Sequence, residues 1–118
     1  MYGSDKRIIR EYKDSLGGGS ENEILYLKLE FVGAKLENFS MNLTTRISAG
    51  GQEAEFELVR YDCAHGYLHM HRFYRKPPTK EKIFMEISRQ TVRALRLEIT
   101  ENWKSWKKAF IDNYGVYR

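Results

Sequence analysis

"EILYLKLEFVG", residues 23–33, decides the fold. Leu25, Leu27, Leu29 and Phe31 alternate with Tyr26, Lys28 and Glu30. Successive side chains on a strand point to opposite faces, so this period of two predicts a half-buried strand. "LENFSMNLTTRIS", residues 36–48, repeats the pattern. Phe39, Met41, Leu43 and Ile47 face one way; Ser40, Asn42, Thr44 and Arg46 face the other. Gly33-Ala34-Lys35 reads as a short hairpin connection and "AGGQ" (49–52) as the next turn. "EFELVRYD" (55–62) and "YLHMHRFYR" (67–75) follow as two more strands around Ala64-His65-Gly66. Short connectors between four strands predict an antiparallel meander.

The flanks read as helices. In "SDKRIIREYKDSLGGGS" (4–20), Ser4 suits an N-cap, Asp5 the first turn, and Ile8, Ile9 and Tyr12 one apolar stripe. Gly17 to Gly19 end that helix as a flexible joint. Pro77-Pro78 stops the last strand, and Thr79 is placed to cap a second helix. Phe84, Ile87, Thr91, Leu95, Ile99, Trp103, Trp106 and Phe110 recur at steps of three and four, with Gly115 as the stop. A break near Thr100 fits the pattern as well as a straight helix does. The expected fold class is therefore α+β: a short N-terminal helix, a four-stranded antiparallel meander and a long, optionally kinked C-terminal helix on one sheet face. One domain spans 1–118, with the N-terminal helix and joint in 1–20, the meander in 24–76 and the helical region in 79–114.

Length and composition agree with that reading. A 118-residue chain with 42% hydrophobic and 31% charged residues is an ordinary globular domain. A net charge of +4 leans mildly towards an acidic partner such as nucleic acid. One cysteine excludes an internal disulfide and a multi-cysteine zinc site. The first residues lack the apolar core of a secretory signal, and no run approaches the about eighteen apolar residues of a membrane span. A cytoplasmic protein with no membrane partner is the expectation.

Residues 59–76, "VRYDCAHGYLHMHRFYRK", hold all three histidines, His65, His69 and His71, and the lone cysteine, Cys63. A two- or four-residue loop would set Asp62 opposite Tyr67, Arg60 opposite His69, Leu58 opposite His71 and Phe56 opposite Phe73, all on one face. A loop of three or five residues would flip one strand's set. His69 and His71 stand two residues apart, roughly 6.5–7 Å between Cα atoms, and project the same way. Such a pair suits general base and acid at one phosphodiester, with Asp62 orienting an imidazole and His65 nearby at the turn. Arg60, Arg72, Tyr67, Arg75 and Lys76 are the candidate substrate-binding residues. No cofactor is expected; the alternative is a divalent metal on His69, His71 and Asp62. The plain alternative is a solvated, histidine-rich hairpin. Cys63 reads more readily as a small half-buried residue than as a nucleophile.

Arg60-Tyr61-Asp62, Ala64, His65 and the closing His69-Met70-His71 together resemble the motif of TumE-like toxins of prokaryotic toxin–antitoxin modules. Cys63 stands where that motif has asparagine, and the gap between the histidine groups is shorter. The resemblance covers about fourteen residues. It implies a small toxin acting on nucleic acid, with RNA the expected substrate, and neutralised by a cognate antitoxin. The expectations are an acid–base ribonuclease or, alternatively, a non-enzymatic module that binds protein or nucleic acid. Trp103, Trp106 and Phe110 read as packing on the chain's own sheet, with a homodimer through any overhang of that helix as the alternative.

Overall fold

The computed structural model describes residues 6–16, 22–49, 51–63 and 66–115. Six strands and one helix run in chain order: β1 (Arg7–Ser15), β2 (Glu23–Val32), β3 (Lys35–Ala49), β4 (Gln52–Asp62), β5 (Leu68–Arg72), β6 (Thr79–Ile83) and α1 (Arg89–Tyr114). Each strand pairs antiparallel with the next, so the sheet order is the sequence order. The α+β class, the antiparallel sheet and the C-terminal helix stand as expected. The strand count is six rather than four.

Both added strands are edge strands. Residues 7–15 form β1, not a helix, and pair with β2 from Arg7–Val32 to Ser15–Ile24. Nine residues make a marginal helix alone, whereas Ile8, Ile9 and Tyr12 suit a pleated surface and β2 offers them a ladder. The expected cap at Ser4 and the joint at Gly17–Gly19 lie outside the described residues. At the far edge, Thr79 does not cap a helix. Thr79–Ile83 instead pairs with β5, from Leu68–Ile83 to Arg72–Thr79.

The helix starts ten residues later than expected, so Phe84 and Ile87 precede it and Phe84 is 86% exposed. Ser88 is the N-cap: its backbone is extended and its hydroxyl accepts from the Thr91 amide at 3.2 Å. Gly115 ends the helix in the left-handed region, φ 61°, and its amide donates to the Ile111 carbonyl. There is no break at Thr100, whose hydroxyl donates back to the Arg96 carbonyl and leaves the helix continuous.

α1 lies across β3 and β4 on one face of the sheet. Val92, Leu95, Ile99, Trp106 and Phe110 meet Leu25, Leu27, Met41, Leu43, Val59, Tyr61, Leu68 and Met70 there. The tryptophan-bearing stripe is thus core, and Leu97 is the exposed large apolar residue of α1. Polar groups sunk in this face are individually matched. Glu23, 1% exposed, accepts from Thr45 at 2.9 Å and Lys107 at 2.7 Å. Tyr61 donates to Glu98. Burial and that bond to a carboxylate both push the phenol far above its usual range.

A bulge in β4 matters for the site. Leu43 pairs with Val59 and Thr44 with Glu57, so Leu58 is the extra residue. Past the bulge the facing flips, and Phe56 packs on Phe110 of the helix, ring centroids 5.3 Å apart. Phe56 therefore does not join Phe73 on the histidine face.

Candidate functional site

Among the described residues, no helix or strand covers the face away from α1. Cross-strand register lays two polar rows over it. One runs Lys28, Ser40, Asp62, His69, Lys82; the next runs Tyr26, Asn42, Arg60, His71, Lys80. Glu11 and Lys13 extend both rows onto β1.

The β4–β5 hairpin closes two residues away from the expected register. Asp62 faces His69, Tyr61 faces Met70 and Arg60 faces His71. A shift of two keeps every side chain on its face, so Arg60, Asp62, His69 and His71 still converge. Gly66 carries the turn with φ 83° and donates its amide to the Cys63 carbonyl. His65 lies outside the described residues.

Asp62 is the hub. Its Oδ2 lies 3.1 Å from His71 Nε2 and 3.6 Å from Arg60 Nε, and its Oδ1 lies 4.0 Å from His69 Nδ1. The first is a close ion-pair distance, within reach of a hydrogen bond; the other two are electrostatic neighbours. A neutral His71 that donates from Nε2 keeps Nδ1 as its lone-pair nitrogen, so the carboxylate sets the tautomer. The His71 ring stacks on Phe73 at 5.7 Å, which holds its plane. Arg60 also reaches Glu57 at 3.2 Å and lies over Phe73 at 5.3 Å.

The two histidines are not equivalent. His69 is 6% exposed and sits 4.4 Å from the Tyr67 ring. The His71 side chain keeps 18% exposure and Asp62 24%. Two shallow clefts open beside the hub and share Lys28 and Ser40. One, about 210 Å³, is lined by Asp62, Cys63, Asn38 and Glu30. The other, about 430 Å³, is lined by Arg60, Asn42, Tyr26, Lys13 and Glu11.

Other expected site residues fall elsewhere. Arg72 points to the helix side and pairs with Glu81 at 2.6 Å. Burial alone would lower its guanidinium, but the Glu81 carboxylate together with Tyr74 holds it above its usual value. It does not reach Asp62's face. Arg75 donates to Thr79 and lies over Tyr74, and Lys76 lies over Tyr114, all in the turn beyond β5. Tyr67 does belong to the site, with Lys82 4.5 Å above its ring. Cys63 is buried, and burial pushes its thiol up, which keeps it protonated and unreactive at neutral pH. Among the described residues, no three of His, Cys, Asp and Glu are placed to hold one metal ion.

Lys80 and Lys82 were missed because residues 79–83 were read as the start of a helix. Thr79, Glu81 and Ile83 do alternate with the two lysines, but with Ile83 the one apolar residue among them the alternation carries no burial contrast. Lys28, Tyr26 and Asn42 were legible as the polar side of their strands, but sequence alone did not bring them beside Asp62.

A small α+β protein with a helix-covered sheet face and an open polar one is what these elements define. The chain belongs to the DUF7718 family, a domain of unknown function, whose family model matches residues 11–115. Neither a curated protein nor a solved structure matches it. Among the described residues, no helix is long and apolar enough to cross a membrane.

Proposed function

We propose that the open face binds single-stranded RNA and that His71, held by Asp62, moves a proton at one phosphodiester. The observation that carries this is the 3.1 Å His71–Asp62 contact at the centre of a face that also presents Arg60, Lys28, Lys80 and Lys82. In this reading His71 Nδ1 takes the 2′-hydroxyl proton as the 2′ oxygen bonds to phosphorus. The bond from phosphorus to the 5′ oxygen breaks, and that oxygen takes a proton from water. The nearby cations offset the charge that gathers on the phosphoryl oxygens. Tyr26 and Tyr67 offer rings for base stacking. His69 acts by its field on Asp62 rather than as an equal partner, because it is covered. The toxin resemblance fits this role, and an antitoxin would act by covering the same face.

A second reading is binding without turnover. The observation in its favour is that both clefts lie beside the imidazoles, against Asp62 and Arg60, and neither is lined by His69 or His71. One assay separates the readings: incubation with mixed single-stranded RNA and DNA, with and without chelator. The first reading expects RNA cleavage that survives chelation and falls at least ~100-fold in His71→Ala. Unchanged cleavage in that variant removes it. Salt-sensitive binding with no cleavage selects the second reading. Stoichiometric metal that disappears when His69 and His71 are both replaced selects a metal-binding version.

A further inference from the structure

The two edges of the sheet differ. β6 is five residues long and carries Lys80 and Lys82, which is how proteins protect an edge from further pairing. β1 is nine residues long and all but Asp14 of it is exposed, with Ile8 41%, Ile9 50% and Tyr12 46% exposed. Leu16 donates its amide to the Glu23 carbonyl, and Lys6 accepts from Gly33 at the other end. Even-numbered residues therefore turn their backbone groups towards β2. Glu11 and Lys13 turn theirs outward.

A second copy of this chain fits that edge. An antiparallel junction about a two-fold axis normal to the sheet keeps like faces together, so residues of the same parity oppose each other. Three central registers meet this condition. Centring on Arg10 sets Arg10 against Arg10 and Arg7 against Lys13. Centring on Glu11 sets Glu11 against Glu11 and leaves Ile8 opposite Asp14. Centring on Tyr12 sets Tyr12 against Tyr12, Glu11 against Lys13 twice, Arg10 against Asp14 twice and Ile8 against Leu16 twice. Only this last register is complementary in charge throughout.

We propose that β1 pairs with β1 of a second copy, antiparallel about Tyr12, joining two six-stranded sheets edge to edge. The Glu11 and Lys13 backbones of each copy exchange hydrogen bonds, and the ion pairs alternate between the faces. α1 lies over β3 and β4 and reaches β1 through Arg96, which pairs with Asp14, so in the dimer Asp14 lies between Arg96 of its own chain and Arg10 of the other copy. Both open faces end on one side of the joined sheet, which makes the two Asp62–His71 hubs parts of one surface.

Sedimentation equilibrium of the full chain tests the interface, independently of any activity. A dimer with a dissociation constant in the micromolar range is expected, roughly what a small interface supports. Glu11→Lys alone and Lys13→Glu alone each place like charges opposite one another twice, and each weakens association at least ~10-fold. The double exchange Glu11→Lys with Lys13→Glu restores it. Under mild oxidation Tyr12→Cys forms a covalent dimer, because Cα atoms of a non-hydrogen-bonded pair approach to about 4.5 Å. Arg10→Cys, about four residues from its counterpart, does not. A monomer at every concentration overturns the proposal. So does a dimer indifferent to the single charge reversals, or one in which Tyr12→Cys fails to cross-link.

Discussion

Tyr61 and Asp62 are adjacent in sequence and point to opposite sides of the same strand. Tyr61 is 0% exposed, and its hydroxyl is committed to one carboxylate on α1. Asp62 is part-exposed and has one carboxylate shared between His71 and Arg60, with His69 close by. The same contrast holds across the sheet. On the helix side Glu23 is matched by Thr45 and Lys107, and Arg72 by Glu81. On the open side cations and rings sit over each other loosely, as Lys13 over Tyr26 and Lys82 over Tyr67 do. A buried polar group without a dedicated partner costs about 1–3 kcal/mol, so the covered face must be fully matched. An exposed face is free of that constraint and can hold groups ready for a ligand.

That comparison breaks most sharply at Glu23. Glu23→Ala leaves the Lys107 ammonium and the Thr45 hydroxyl without their partner, and about 3–5 kcal/mol of stability is expected to disappear in urea melts. A loss under about 1 kcal/mol would show the pair to be dispensable. Tyr61→Phe keeps the ring and deletes one bond to Glu98; about 1–3 kcal/mol is expected by the same measurement. On the open face the sign of the comparison reverses. Lys80→Gln with Lys82→Gln should leave stability within about 0.5 kcal/mol, yet lower the salt dependence of RNA binding by a slope of about 1–2. The smallest effect concerns Glu55. Its hydrogen bond with Thr44, together with Tyr26 and the Arg46 charge, holds its carboxyl below the usual value. A lowered carboxylate stabilises the fold above its unfolded-state pKa, and that contribution is lost as pH falls through the folded one. Acid titration of Glu55→Gln should show a slightly shallower loss of stability between neutral and acid pH. An identical profile would assign the shift no role.

The inner strands were legible because they are buried on one face and polar on the other. Leu25–Leu27 and Met41–Leu43 carry that alternation in plain view. β1 and β6 were not legible because edge strands bury little and so carry no contrast: Ile8 and Ile9 are neighbours and both exposed. The helix end at Gly115 was readable from its glycine, but its start was not, since Thr79 and Ser88 are equally good caps by type. For the site, parity alone put Arg60 with Asp62 and His69 with His71; bringing the two pairs to one face took an even-numbered loop, which sequence does not fix. The pairing within that face, and the covering of His69 by Tyr67, depended on the same turn. The flip of Phe56 depended on a bulge at Leu58, which no local pattern marks.

The claim at the centre is that the open face, not α1, meets the ligand. Titrating the isotope-labelled protein with a short single-stranded RNA and following backbone and imidazole resonances tests it most directly. Perturbations concentrated at Lys28, Ser40, Arg60, Asp62, His71 and Lys80 are predicted, with α1 unmoved. Perturbations confined to α1, or none at saturating RNA, would contradict it.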